Sequence, residues 1–169
     1  LNSITSGDKN TVMGFDAGTN ITGATQNTII GSDAFKGSAT DANSGYNTVV
    51  GANAMNVASG AAFNTAIGRD AGREVSTGDR NTFLGYNAGA NDSSAGITSG
   101  SGNVIIGTVD PISRTGNRQL KITGNDGSTS TTWISGDSSG NVTVAGTLTT
   151  SSGAVAAQAD VTALAIALG

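Results

Sequence analysis

The chain has 169 residues, of which 26 are glycine and one is proline; 12% are charged, 4% are aromatic, and the formal net charge is −4. Cysteine and histidine are both absent, which excludes disulfides and thiolate sites and removes the commonest general base and metal ligand. The 8 basic residues do not cluster, which disfavours nucleic-acid binding, and no segment approaches the ~20 apolar residues that span a bilayer.

A short phrase recurs along the first part of the chain. It consists of Asn, Thr, two apolar residues, Gly, a variable residue, Asp or Asn, and Ala. The copies begin at Asn10, Asn27, Asn47, Asn64, Asn81 and, in a shortened form, Asn103. The steps between them are 17, 20, 17, 17 and 22 residues, so the unit has 17 residues with insertions in the second and fifth. A period this short, without helical periodicity, predicts an all-β fold: a β-solenoid, or β-roll, of stacked coils.

In a stack of β-coils, each position of the repeat becomes a row, with neighbouring strands ~4.8 Å apart. The six asparagines are therefore expected to form a structural amide ladder, in which each side chain bonds to that of the next coil. The invariant glycines imply either a positive φ or a backbone approach too close for a Cβ. These repeat glycines are Gly14, Gly31, Gly51, Gly68, Gly85 and Gly107.

The positions after each repeat glycine predict the turn. Two residues on, the five full copies have Asp or Asn, which tolerate the left-handed conformation: Asp16, Asp33, Asn53, Asp70 and Asn87. An alanine follows in all five full copies, which predicts a crowded interior. The residue directly after the glycine varies from Phe to Ser to Arg, and this freedom predicts exposure to solvent.

Two adjacent apolar rows predict how chains assemble. The first is Val12, Ile29, Val49, Ala66, Phe83 and Ile105; the second is Met13, Ile30, Val50, Ile67, Leu84 and Ile106. Consecutive strand residues point to opposite faces, so one row fills the coil and the other lies bare along the rod. Monomers rarely tolerate such a stripe, and identical chains packed around an axis parallel to the rod would cover it. We therefore expect a parallel homotrimer. If the trimer forms by chain wrapping, a single chain should be largely unfolded.

The pattern TG-x-x-NT-φ-φ-G-x-[ND]-AG, where φ is apolar, covers residues 4–107 and closely resembles the repeats of bacteriophage tail-fibre proteins. It is more distantly similar to the head repeats of trimeric autotransporter adhesins of bacterial surfaces, whose coil is shorter. Both resemblances imply parallel homotrimers that bind cell surfaces. The phage resemblance implies a virion fibre for host attachment, whose partners are other virion or fibre proteins and a host polysaccharide or protein.

The expected organisation has four parts. Residues 1–107 form the β-coil repeats, 108–117 a connector with the only proline, and 118–153 a β-stranded trimeric shaft. The shaft strands contain Leu120 and Ile122, then Trp133 and Ile134, then Val142, Val144 and Leu148, with turns at GNDG and GDSSGN. The shaft resembles the segment that precedes a self-cleaving chaperone in many tail fibres. The 169 residues contain no such domain, so we expect either that the mature chain has lost it or that the family never had it. Because the sequence opens on Leu1, we expect a processed or excised piece of something longer.

The Ala-rich segment 154–169 has a heptad-like apolar seam at Ala154, Ala157, Val161, Leu164 and Leu168. A short trimeric coiled coil, a β continuation and a frayed tail all remain open for it.

An enzymatic role is not expected, and neither a cofactor nor a metal is. Asp16 and Asp33 stack at a spacing that suits the two acids of a glycosidase. However, Asn replaces Asp at this position in other copies, which a catalytic acid would not allow. GNDG and GDSSG resemble Ca²⁺ loops, but neither offers the full ligand series with its Glu, so ordinary turns explain both.

Receptor contacts are expected where the uniform repeat fails. The candidate segments are the insertion at 36–46 and the loop at 90–102, with Tyr46 and Tyr86 as sugar-stacking aromatics. Trp133 is a further candidate, although a lone Trp in a thin trimer is more often a core filler. Alternatively, the chain is pure stalk and carries no receptor contact. A different class, an ice- or matrix-binding β-solenoid, is suggested by the Thr row, unless that row faces inward.

Overall fold

The structure, a computed structural model, describes residues 7–37, 44–90 and 96–146, together with two short strands at 149–150 and 153–154. Within these ranges the chain is all-β and forms no helix. The predictions for Leu148, for the seam residues after Ala154, and for parts of the 36–46 and 90–102 loops lie outside the described residues.

Each copy of the repeat forms one three-residue strand. These strands are β1 (Thr11–Met13), β2 (Thr28–Ile30), β3 (Thr48–Val50), β4 (Thr65–Ile67), β5 (Thr82–Leu84) and β6 (Val104–Ile106). Each pairs in parallel with the next and in the repeat register, so Thr48 lies between Thr28 and Thr65. The remainder of each coil consists of turns. The predicted β-solenoid is confirmed, whereas the homotrimer remains a prediction.

The interior of the solenoid is built by one chain alone. The middle strand residues and the alanines of the turns are buried together in one core cluster, which runs from Ala17 to Val109. A large core side chain is accommodated by small residues around it. The ring of Phe83 lies against Gly72 and Gly89, where a Cβ would overlap it, and the residue paired with Phe83 on β4 is Ala66. The described coils therefore close without chain wrapping, and a trimer of this part would form between finished rods.

The solenoid continues beyond residue 107. Strand β7 (Leu120–Asn125) pairs in parallel with β6, and Gln119 takes the place of the next ladder asparagine. The segment 108–117, which contains the only proline, is thus the turn region of a seventh coil rather than a connector. The repeat phrase does not predict this coil, because Gln119 and Thr123 stand where the other copies have the asparagine and the glycine.

After β7 the sheet changes direction. Strand β8 (Ser130–Gly136) and strand β9 (Val142–Val144) pair antiparallel in sequence order and complete a nine-stranded sheet. The strands expected around Leu120, Trp133 and Val142 and the turns between them are present, and the third of these strands, β9, ends at Val144. Strands β10 (Thr149–Thr150) and β11 (Gly153–Ala154) form a separate antiparallel pair, so Ala154 belongs to a strand.

Candidate functional site

The outward side of β1–β6 forms one surface along the solenoid, and we call it the outer strand face. In every strand the middle residue is the most enclosed of the three, while the first and third residues point outward. The outer strand face therefore consists of a Thr row, which ends at Val104, and the second apolar row. The sequence left the direction of the Thr row open, and the structure places it outward.

The apolar row of the outer strand face is uncovered in the single chain. Met13 is 63% exposed, Leu84 45% and Ile67 39%, while Ile30 and Val50 are half-buried. The expected bare stripe is therefore present on the described chain. Aliphatic side chains repeated at the strand spacing along a rod provide a surface that can pack against another flat β-face.

The asparagine row forms a continuous ladder of hydrogen bonds. At its centre, Asn64 donates from both its backbone N and its Nδ2 to Oδ1 of Asn47, at 2.9 and 3.1 Å. Asn81 repeats this pair on Asn64, and every coil from Asn10 to Gln119 does the same. The Nδ2 of each ladder asparagine from Asn10 to Asn81 also donates to a backbone carbonyl, such as Gly78 O at 3.0 Å from Asn64. These amides bond to the stack itself, which favours a structural ladder over a binding strip.

The repeat glycines need both properties that the sequence offered as alternatives. From Gly14 to Gly68 their φ angles lie between 135° and 142°, a region that L side chains rarely adopt. A Cβ on Gly51 would also overlap the backbone carbonyl of Gly68 in the next coil. Two residues further on, the Asp or Asn has φ between 52° and 57° in all five full copies, as expected for the left-handed turn position.

A second row of left-handed residues precedes the ladder and was not predicted. Its members are exposed except for the half-buried Gly102, with φ between 53° and 71°: Lys9, Gln26, Tyr46, Phe63, Arg80, Gly102 and Arg118. Within it Tyr46 and Phe63 stack with centroids 4.8 Å apart and planes 4° from parallel, and the Arg80 guanidinium lies 5.0 Å from the Phe63 ring centre. The 17-residue step from Tyr46 to Phe63 equals the repeat period, and it could have predicted from the sequence that these two rings stack. This stacking covers both faces of the Phe63 ring and one face of the Tyr46 ring, and Tyr46 stays 51% exposed.

The other two candidate aromatics differ in their surroundings. Tyr86 is exposed, with the guanidinium of Arg69 5.6 Å from its ring centre. Trp133 is 53% exposed in the single chain and lies in the β7–β8 hairpin, so its expected role as a core filler of a trimer stays a prediction. The structure does not bring Tyr46, Tyr86 and Trp133 into one site.

The acidic pair suggested by the sequence is bridged by a lysine. Lys36 Nζ lies 2.6 Å from Asp33 Oδ1 and 3.0 Å from Asp16 Oδ2. The hydrogen bond from Lys36, followed by that from Ser32, lowers the pKa of Asp33, and the two aspartates raise the pKa of Lys36. A general acid needs a raised carboxyl pKa, so this arrangement favours a structural ion pair over catalysis.

Among the described residues, no three His, Cys, Asp or Glu side chains are grouped closely enough to hold a metal ion. The same part of the chain contains no helix of the length and apolarity that crossing a membrane requires. No family model, no curated protein and no solved structure matches the chain. Its fold, with six repeat strands and a seventh in parallel register, defines the chain as a parallel β-solenoid.

Proposed function

We propose that the chain is a structural segment of a phage tail fibre or virion fibre that mediates attachment to the host cell surface. The observation that carries this proposal is the outer strand face: a rigid stack of coils with one uncovered apolar row along its length. The repeat phrase, which resembles that of tail fibres, supports the same assignment. The proposed role is mechanical and adhesive rather than enzymatic, and it requires no cofactor.

The proposed assembly is a parallel homotrimer in which the outer strand faces of three rods meet around a common axis. Fully burying an aliphatic side chain contributes about 1.5–3 kcal/mol, so covering the remaining two-fifths of Ile67 or Leu84 contributes about 1 kcal/mol each. Repeated over the rungs of three chains, this gain offsets the entropy lost on association. Further partners would be other virion proteins at the ends of the rod and a host polysaccharide or protein receptor.

Native mass spectrometry at micromolar concentration tests the assembly. We expect the wild-type particle to have three times the mass of one chain. Ile67→Glu should give single chains, because three carboxylates would be buried together without partners. Val57→Glu is the matched control: Val57 is 43% exposed but lies outside the strands, so its variant should stay trimeric. A folded, monomeric wild-type chain would refute the proposal.

One observation favours a second candidate, an ice- or matrix-binding solenoid. The Thr row faces outward and keeps strict parallel register from Thr11 to Thr82, as a flat lattice-binding surface requires. The neighbouring row varies from Met to Val to Leu, which makes the surface less regular. Replacing Thr48 and Thr65 by Tyr and recording ice-crystal growth separates the two candidates, since only the second predicts that wild-type inhibits growth and the variant does not.

A bacterial trimeric adhesin would share the same assembly and differ in its attachment. Genes adjacent to the coding sequence distinguish it from a fibre, because an adhesin requires a membrane anchor and a fibre requires virion proteins.

A further inference from the structure

The β7–β8 hairpin carries an open groove that the solenoid itself does not require. It has a volume of about 380 Å³ and is bordered by Gly124, Asn125, Asp126, Thr129, Thr131 and Trp133. One large aromatic ring therefore faces a set of polar groups at the end of the rod where the repeat stops. This combination suits a ligand with an apolar side and several hydroxyl groups.

A β-bulge places the ring in this groove. Ile122 lies opposite Ile134 and Thr123 opposite Thr132, so Trp133 is the extra residue of β8. Bulges turn a side chain away from the regular alternation of the strand. The ring lies across Gly124, where a Cβ would overlap its Cζ2 and Cη2 atoms. Since the φ of Gly124 is outside the left-handed region, the Trp133 ring, rather than the backbone, explains the glycine.

The polar groups of the groove are held in place by the turn. Asp126 Oδ1 accepts hydrogen bonds from the backbone N of Thr129 at 2.7 Å and of Ser128 at 2.9 Å. These bonds, that from Thr129 first, lower the pKa of Asp126, so the carboxylate is ionised at neutral pH. Its Oδ2 makes no hydrogen bond to another described residue. The exposed hydroxyls of Thr129 and Thr131 complete the rim.

We infer that this groove binds one neutral hexopyranose unit of a cell-surface polysaccharide, with its C–H face stacked on Trp133 and its hydroxyls bonded to Asp126 Oδ2 and Thr131. The inference rests on the proposed attachment function and assigns its receptor class and contact site. The electron-rich ring face attracts the polarised C–H bonds of a sugar. An ionised carboxylate accepts strong hydrogen bonds from hydroxyls and repels acidic sugars. A quaternary ammonium group is less suited, because such groups are bound by cages of several aromatics and this groove has one.

Fluorescence titration of the full chain tests this site directly, since Trp133 is the only tryptophan. The probes are the methyl glycosides of glucose, galactose and mannose, with N-acetylneuraminic acid and choline as the competing chemistries. We expect acrylamide, a neutral quencher that Asp126 does not repel, to quench the ring fluorescence in the native particle. At least one neutral glycoside should give a saturable fluorescence change and protect the ring from quenching. Inaccessibility to acrylamide, a response to choline or the acidic sugar alone, or no response to any neutral glycoside would overturn the inference.

Paired variants distinguish specific binding from a general effect on the hairpin. Gly124→Ala displaces the ring without straining the backbone and should weaken glycoside binding by about tenfold. Asp126→Asn should also weaken binding of the neutral glycoside, and it should strengthen binding of N-acetylneuraminic acid because the repelling carboxylate is gone. Asp137→Asn is the matched control, because Asp137 caps the next hairpin through the backbone N of Ser139 and Asn141. Equal binding by the Asp126 and Asp137 variants would refute the site, even if the Gly124 variant did not fold.

The native mass of the same samples separates the two hypotheses. A trimer without any glycoside response refutes only the sugar site. A monomer that binds glycosides refutes only the fibre.

Discussion

Replacing Asn64 by alanine at the centre of the ladder tests what holds neighbouring coils together. The Asn64 side chain is 1% exposed. Its Nδ2 donates to Asn47 Oδ1 at 3.1 Å, to Ala62 O at 3.1 Å and to Gly78 O at 3.0 Å. Its Oδ1 accepts from the backbone N and the Nδ2 of Asn81, at 2.9 and 3.1 Å. A methyl group reproduces none of these five bonds.

The expected loss in the free energy of unfolding follows from the buried groups that no longer have Asn64 as a hydrogen-bond partner. Asn47 Oδ1 keeps the Asn64 backbone N–H, and Asn81 Nδ2 keeps the carbonyl of Gly100. The buried Asn81 backbone N–H loses its acceptor, and the Gly78 carbonyl loses the Asn64 donor. At ~1–3 kcal/mol for each buried group left unsatisfied, we expect the free energy of unfolding to fall by about 4 kcal/mol.

Guanidinium unfolding followed by far-UV circular dichroism measures this loss, and hydrogen exchange at the Asn81 amide locates it. Asn20→Ala is the control: Asn20 is exposed and makes one bond, to Lys36 O at 2.9 Å, so its loss should stay within about 0.5 kcal/mol. If the Asn64 and Asn20 variants unfold at the same denaturant concentration, the ladder does not stabilise the stack and the reasoning is wrong.

Two further predictions concern the turns. Gly51→Ala and Gly127→Ala both place a side chain at positive φ, which costs about 1–3 kcal/mol of backbone strain, but only the Cβ at position 51 also meets the next coil. Thermal unfolding should therefore show a clearly larger loss of stability for Gly51→Ala, and equal losses would contradict the close approach of neighbouring coils. The hydrogen bond from Lys36 holds the pKa of Asp33 below its ordinary value of 3.8, so this contribution to stability is present above pH 3.8 and is lost as the pH falls through the lowered value. Lys36→Met should therefore lose less stability than the wild type on acidification below pH 3.8, and parallel pH profiles would contradict this assignment.

Several features of the solenoid could be read from the sequence, because in a repeat each residue contacts its own copy in the next coil. The ladder, the glycine row, the left-handed Asp or Asn and the buried alanines all follow from one 17-residue pattern. Such nearest-neighbour rows need no knowledge of distant contacts. The bare apolar row could be inferred in the same way, from two adjacent apolar residues on one strand.

Other features of the structure could not be predicted from the repeated sequence or from its 17-residue period. Gln119 extends the ladder because its amide reaches Asn103 Oδ1 at 3.1 Å, although the residues around it no longer match the phrase. The Thr row faces outward because the middle residue of each strand packs into the core, and alternation along the strand then turns its neighbours to the other side. The exposure of Trp133 depends on a bulge of β8 against β7, which is a property of how two strands pair. The sequence by itself thus determined the contents of each coil, whereas the tertiary structure decided which side chains remain free to meet a partner.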